Sequence, residues 1–304
     1  MVESVTSRTH TRRQHLLGAL GMLLTACSAA RNGPRQAGAR VSDSRALAEI
    51  EGMIGGRLGV FAFDTGTGRT LAHRADERFA MCSTFKWVLA AAVLARCDRG
   101  ELAPSDRVFY GSAELLEYAP VTSRQAIGGS MTIDALAQAA VTVSDNTAAN
   151  LLLSKVGGPA GLTAFIRTMG DVVTRLDRGE PALNSNDLSD PRDTTSPRAM
   201  VDLMNRILCG SVISVASRDR LLRWMRECET GKHRLRAGFP ASWVVGDKTG
   251  SGSHNAVNDV AVALPPGGPP ILVASYMSDG LSVLTVSEAA HAEIGRLVAR
   301  ELHI

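Results

Sequence analysis

Lysine is scarce in this chain: of 33 basic residues among 304, only Lys86, Lys155, Lys232 and Lys248 are lysines. Aromatic residues make up only 4 %, and the 30 acidic residues leave a formal net charge of +3 with no long run of either sign. A nucleic-acid partner is therefore not expected, and a small molecule is. The five cysteines, Cys27, Cys82, Cys97, Cys209 and Cys228, lack the close paired spacing of a zinc site, so neither a metal nor another cofactor is expected. The four beyond Cys27 permit three disulfide pairings, among which the sequence does not choose, and buried free thiols are the alternative. There is no internal repeat. Apolar residues at 45 % and charged residues at 21 % suffice for a soluble protein with a sizeable core.

The longest leading apolar run, Leu16 to Ala26, is too short for a permanent membrane span and follows Arg12 and Arg13. Residues 1–26 thus read as an export signal, and the mature chain is expected to be periplasmic or lipid-anchored at the cell envelope. Thr11 to Leu17 resembles a twin-arginine signal, with an ordinary basic flank as the alternative. Leu24-Thr25-Ala26-Cys27 resembles a lipobox, which would put lipid on Cys27, with cleavage near Ala29 or Ala30 as the alternative. Residues 27–44 read as a flexible tether, and 45–304 as the folded domain.

Within that domain, RALAEIEGMI has helical spacing, and LGVFAFDTGTGRTLAHR reads as two strands around a glycine turn. Helical patterns dominate residues 75–225. WVVGDKTG, NDVAVALP and PILVASYMS are strand-like, and TVSEAAHAEIGRLVAREL is a final amphipathic helix. The expected fold class is α/β of the α+β type. An antiparallel sheet from residues 45–74 and 226–304, flanked by helices, meets a mostly helical lobe from 75–225, with the ligand in the cleft between them.

In MCSTFKWVLAA, residues 81–91, Ser83 and Lys86 stand one turn apart. On a helix from 83 to 95 they share a face within hydrogen-bond reach. A serine hydroxyl is a weak nucleophile and an enclosed lysine loses favour for its charge, so the pair supplies a nucleophile and a base. An isolated S-x-x-K would instead mean an N-cap and a snorkelling lysine. This one is accompanied by Ser144-Asp145-Asn146 between two predicted helices and Lys248-Thr249-Gly250 at the end of a strand-like run.

In that order the triplets resemble the motif set of the serine penicillin-recognising enzymes. Arg175 to Asn184, followed by Asp190 to Thr195, resembles the omega loop of class A β-lactamases, and residues 45–304 are identified as a member of that family. The resemblance implies hydrolysis of penicillins and cephalosporins, hence antibiotic resistance, by a monomeric enzyme through an acyl-enzyme on Ser83. Glu180 and Asn184 match the carboxylate and amide that hold the hydrolytic water, and Gly179 replaces a common tryptophan. Arg175 and Asp193 match the ion pair that closes the loop. The acylation base is either Lys86 or Glu180 through water. Ser144 would relay a proton to the leaving nitrogen, and Asn146 would bind the substrate's amide side chain. Lys248, Thr249 and Ser251, with Gly250 between them, would meet its carboxylate, and the backbone N–H groups of Ser83 and Ser251 would bind the oxyanion. Tyr118 matches the aromatic wall of the cleft, a packed surface tyrosine being the alternative. Residues 251–262 lack the arginine many relatives carry there, so Arg234 is expected to replace it, with Arg236 as competitor. Cys82 precedes the nucleophile as in some carbapenem-hydrolysing relatives, but its pairing position is Gly252, so no bridge is expected. The rival readings, which acylate without fast turnover, are a D,D-peptidase, which shares the three triplets but not the Glu180 and Asn184 pair, and a penicillin-binding sensor, for which no membrane-spanning signalling segment is visible outside the leader.

Overall fold

The computed structural model describes residues 44–125, 129–185, 187 and 189–303; the export signal, Cys27 and nearly all of the tether lie outside them. The strands are β1 (Arg57–Asp64), β2 (Thr70–His73), β3 (Phe79–Ala80), β4 (Arg107–Phe109), β5 (Ser130–Thr132), β6 (Thr194–Thr195), β7 (Val244–Gly252), β8 (Ala256–Leu264) and β9 (Ile271–Ser278). The helices are α1 (Ser44–Ile54), α2 (Phe85–Asp98), α3 (Ile133–Thr142), α4 (Asn146–Lys155), α5 (Gly158–Thr168), α6 (Pro197–Met204), α7 (Val215–Arg226) and α8 (Leu284–Leu302). The expected antiparallel sheet forms in the order β2-β1-β9-β8-β7, with Arg57 opposite Ser278 and Asp64 opposite Ile271.

Side chains on a strand alternate between faces, and both faces here are covered. Val60 and Ala62 on β1, Ala261 on β8 and Val273 on β9 point to α1 and α8; Phe61, Val260, Val262, Leu272 and Tyr276 point to the helical lobe. Strands buried on both sides read as nearly continuous apolar runs, which is how β8 and β9 appear in the sequence.

α2 is apolar all round, and every residue from Phe85 to Ala95 is buried. A helix of that composition belongs in the centre of a lobe, and α2 packs against α3, α4, α5 and α7. Its position forces Lys86 inside. The helix begins later than expected: Cys82–Thr84 form a 3-10 turn, so Ser83 stands on a tight lead-in and does not cap α2. The short pairs β3–β6 and β4–β5, too brief to show a period, lie within the helical stretch.

The sheet reaches this turn through one buried side chain. Asn258 on β8 donates Nδ2 to Ala80 O at 2.9 Å and Met81 O at 3.3 Å, while its Oδ1 accepts from Met277 N. Gly250 on β7 brings a second strand against the turn, since a Cβ there would lie 2.7 Å from Met81 O. Asn258→Ala removes this partner from Ala80 O and Met277 N, while Met81 O keeps Thr84 as its donor, and thermal denaturation should show a fall in Tm of about 5 °C.

Candidate active site

Between the lobes lies a cleft of about 310 Å³ lined by Ser83, Tyr118, Ser144, Asn146, Asn184, Thr230, Arg234, Thr249, Gly250 and Ser251. The order of the chain thus brings nine of the residues singled out in the sequence to one surface; Thr230 is the addition. Tyr118 stands at the rim, 50 % exposed.

Lys86 is fully buried, and its ammonium finds acceptors on three residues: Glu180 Oε1 at 2.9 Å, Asn146 Oδ1 at 2.6 Å, and Ser144 O at 2.8 Å with its Oγ further off at 3.3 Å. Burial pushes its pKa below the usual lysine range, while the charge of Glu180 and the hydrogen bond to it act in the opposite direction. Ser83 Oγ donates to the same Glu180 Oε1 at 3.2 Å. Nucleophile and lysine therefore meet on one carboxylate oxygen.

Ser144 sits between α3 and α4 at φ 61°, a left-handed conformation held by its surroundings. The neighbouring Asp145 caps α4 at Ala148 N and accepts from the N–H of Val121 and Thr122, which fixes the loop. Ser144 Oγ accepts from Lys86 Nζ at 3.3 Å and from Lys248 Nζ at 3.1 Å. With both ammonium groups donating, its single proton is free for a third partner. Lys248 is fully buried within β7, which runs on past the triplet to Gly252. Burial pushes its pKa down to about 8.

The omega-loop carboxylate is held on all sides. Asn184 Nδ2 donates to Glu180 Oε2 at 2.6 Å, and among the described residues its buried Oδ1 has no hydrogen-bond partner. Asn150 brackets the backbone of Glu180, accepting from its N–H at 2.9 Å and donating to its carbonyl at 2.8 Å. The ion pair closing the loop differs from the expected one. Arg175 is partly exposed and pairs with its neighbour Asp177 at 2.5 Å, whereas Asp193 takes Arg178 Nε at 2.6 Å and the N–H groups of Asp177 and Arg178. The expectation that Arg175 pairs with Asp193 is corrected to Arg178: only the later arginine, two residues before Glu180, lies on the inner side of the loop where the buried Asp193 can receive it.

At the opposite end Arg234 is 5 % exposed, with Nη1 donating to Gly250 O and Asn258 O and Nη2 donating to Ser251 Oγ at 2.9 Å. Arg236 turns away and binds Asp247 Oδ1 at 2.7 Å and the carbonyls of Met225 and Arg226. The competition between them is settled in favour of Arg234 for the cleft. Thr230 Oγ1 lies 2.5 Å from Thr249 Oγ1. Cys82 is a free buried thiol whose pKa burial pushes up to about 12, and a Cβ on Gly252 would come 2.7 Å from its Sγ, so this is the position a partner would occupy. Among the described residues no group of three or more His, Cys, Asp or Glu could hold a metal ion.

Sequence reasoning missed Arg178, Asn150, Asn258 and Thr230. Asn150 carried a signal, standing one helical turn beyond Asn146 in NTAAN, and Arg178 carried one in its closeness to Glu180. Nothing local marks Thr230 or Asn258.

A model of the beta-lactamase enzyme family matches residues 44–302. The L2 beta-lactamase of Stenotrophomonas maltophilia is 47 % identical over 255 residues, 84 % of this chain and 84 % of that one. The carbapenem-hydrolyzing beta-lactamase KPC of Klebsiella oxytoca is 44 % identical over 259 residues, 85 % of this chain and 88 % of that one. Among solved structures, the ancestral class A beta-lactamase GNCA is similar at a TM-score of 0.83 and 53 % identity, covering 84 % of this chain and 98 % of that one. Agreement at this level over both sequence and backbone places the chain in the beta-lactamase enzyme family, as a class A serine β-lactamase.

Proposed function

We propose that this chain hydrolyses penicillins and cephalosporins through an ester on Ser83, with Glu180 as the base in both half-reactions. The observation that carries this is the shared carboxylate: Ser83 Oγ donates to Glu180 Oε1, and Asn184 engages Oε2 of the same group. Lys86 has given its donors to Glu180, Ser144 and Asn146, so it acts as a cation that holds the site and not as the base. In acylation Ser83 Oγ attacks the lactam carbonyl carbon as its proton passes to Glu180, directly or through a water. The N–H groups of Ser83 and Ser251 receive the oxyanion. When the carbon–nitrogen bond breaks, the Ser144 hydroxyl gives its proton to the nitrogen and is resupplied by Lys86, which recovers from Glu180 the proton that Ser83 gave up, so that Glu180 is a carboxylate again for the second half-reaction.

The ester then requires a water attacking from the omega-loop side. Asn184 Oδ1, a buried acceptor, and Glu180 together supply an orienter and a base for it. This pair favours a hydrolase over a peptidase or a sensor. Asn146 commits Oδ1 to Lys86, which leaves its amide N–H groups for a substrate carbonyl. Lys248, Thr249, Ser251 and Arg234 make a cationic, hydroxyl-bearing end suited to a carboxylate. One chain carries all of these groups, which supports a monomeric enzyme. Export, with lipid on Cys27 and residues 27–44 as tether, is our reading of the leader sequence.

Glu180→Ala should lower penicillin turnover by about a thousandfold. Ring strain still drives acylation, whereas the unstrained ester waits for a base. Mass spectrometry should therefore show the variant acylated on Ser83 for hours while wild type returns to free mass; a wild type that stays acylated refutes turnover. Lys248 is cationic below its pKa of about 8 and neutral above it. The KM for an anionic penicillin should be flat at lower pH and rise as pH passes about 8, and in Lys248→Arg steady-state kinetics should show that rise removed. Arg234→Ala should raise the same KM by about tenfold or more. Arg236→Ala should leave KM near wild type but lower Tm, because Asp247 then stays buried without its cation.

A further inference from the structure

Behind the carboxylate-binding end lies a thiol that no step above uses. Cys228 is 1 % exposed and stands 3.3 Å from Thr230 Oγ1, which in turn is 2.5 Å from Thr249 Oγ1. Thr230 and Thr249 line the cleft, and Cys228 backs them. The thiol is fixed in place: the Cys228 N–H donates to Met225 O at the end of α7, and the next N–H, of Glu229, donates to Thr142 O at the end of α3. We propose that Cys228 is a positioning residue which, acting through Thr230, orients the hydroxyl chain so that Thr249 presents its proton to the carboxylate of the substrate. The proposal rests on the reading of Thr249 given above.

The reasoning is proton counting along a line. Each hydroxyl owns one proton, and a carboxylate only accepts. If Thr249 donates outward, the short contact behind it must be a donation from Thr230. Thr230 has then spent its proton and is left as an acceptor at its inner side, where Cys228 can offer S–H. Burial pushes the thiol pKa up, with the charge of Asp247 adding to the shift, so the donor keeps its proton. Asp247 is the competing acceptor. Its Oδ1 is taken by Arg236, while its buried Oδ2 has no hydrogen-bond partner among the described residues; burial raises its pKa and a contact with the Cys228 thiol acts to lower it, so the thiol proton has two acceptors to choose between. A thiol turned toward Asp247 would reverse the chain and leave Thr249 offering only lone pairs to an anion. The two directions have opposite consequences for binding.

The test compares benzylpenicillin with its methyl ester, which lacks the negative charge, on wild type, Cys228→Ala and Cys228→Ser, with thermal melting to confirm folding. Cys228→Ala should raise the benzylpenicillin KM by about fivefold, leave kcat within about twofold and leave the ester's KM unchanged. Cys228→Ser, which keeps a donor, should restore wild-type values. An unchanged or lower KM for the acid, an equal rise for acid and ester, or no rescue by serine overturns the proposal. If Cys228→Ala does not fold, Thr230→Val interrupts the same chain at its middle link and should show the same selective rise; a Thr230→Val enzyme that binds the acid like wild type overturns the proposal equally. Should wild type itself show the same KM for acid and ester, the reading of the carboxylate end is what fails, and the inference falls with it.

Discussion

A buried ammonium group holds this site together. Lys86 has no contact with water, and an unmatched charge in such a place would cost several kcal/mol or would lose its proton. It is matched by acceptors on three residues remote from it in sequence: Glu180 on the omega loop, Ser144 on the loop before α4, and Asn146 at the start of α4. Removing any one partner would leave the charge undercompensated, so stability of the lobe and geometry of the reaction are tied to the same group. The apolar surround contributed by α2 makes those partners obligatory. A more open helix would let the ammonium hydrate, and the carboxylate could then drift from the nucleophile.

Three of the eight non-glycine residues at positive φ among the described residues stand around the same place. Cys82, Ser144 and Asp193 are all non-glycine residues at positive φ, at 46°, 61° and 57°. Each costs about 1–3 kcal/mol and persists only where the surroundings over-determine it. The anchors can be named: Asn258 and Gly250 around the Cys82 turn, Asp145 beside Ser144, and Arg178 on Asp193. The sheet and the capped helices supply the rigidity, and these bent residues use it to aim three separate loops into one cleft.

Much of this was legible from the residues alone. Period-two and period-3.6 patterns located the long strands and helices, because burial on a regular surface writes itself into composition. The chemical triplets stood out because Ser, Lys, Asn and Thr in fixed order have few structural reasons to recur together. Three kinds of information were lost. Strands of two or three residues, such as β3 and β6, have no period to read. The loop's ion pair was assigned to Arg175 because two arginines in four residues are equivalent in a string, and only the turn of the backbone separates the inward Arg178 from the outward Arg175. Asn258 and Thr230 act across sheet and loop, at sequence distances where a single sequence carries no coupling.

The register of the sheet has one more consequence. β1, among the first residues of the domain, finds its long partner in β9, more than two hundred residues later. Until the last strand is available, β1 can pair only with the short β2, and its remaining edge stays open to other chains. The helical lobe is built from more local contacts, whereas the platform behind the nucleophile turn has to close over more than two hundred residues. A chain interrupted between α7 and Ile271 would therefore present the helices, Lys86 and an open edge of β1 together, a combination that invites aggregation and not partial activity.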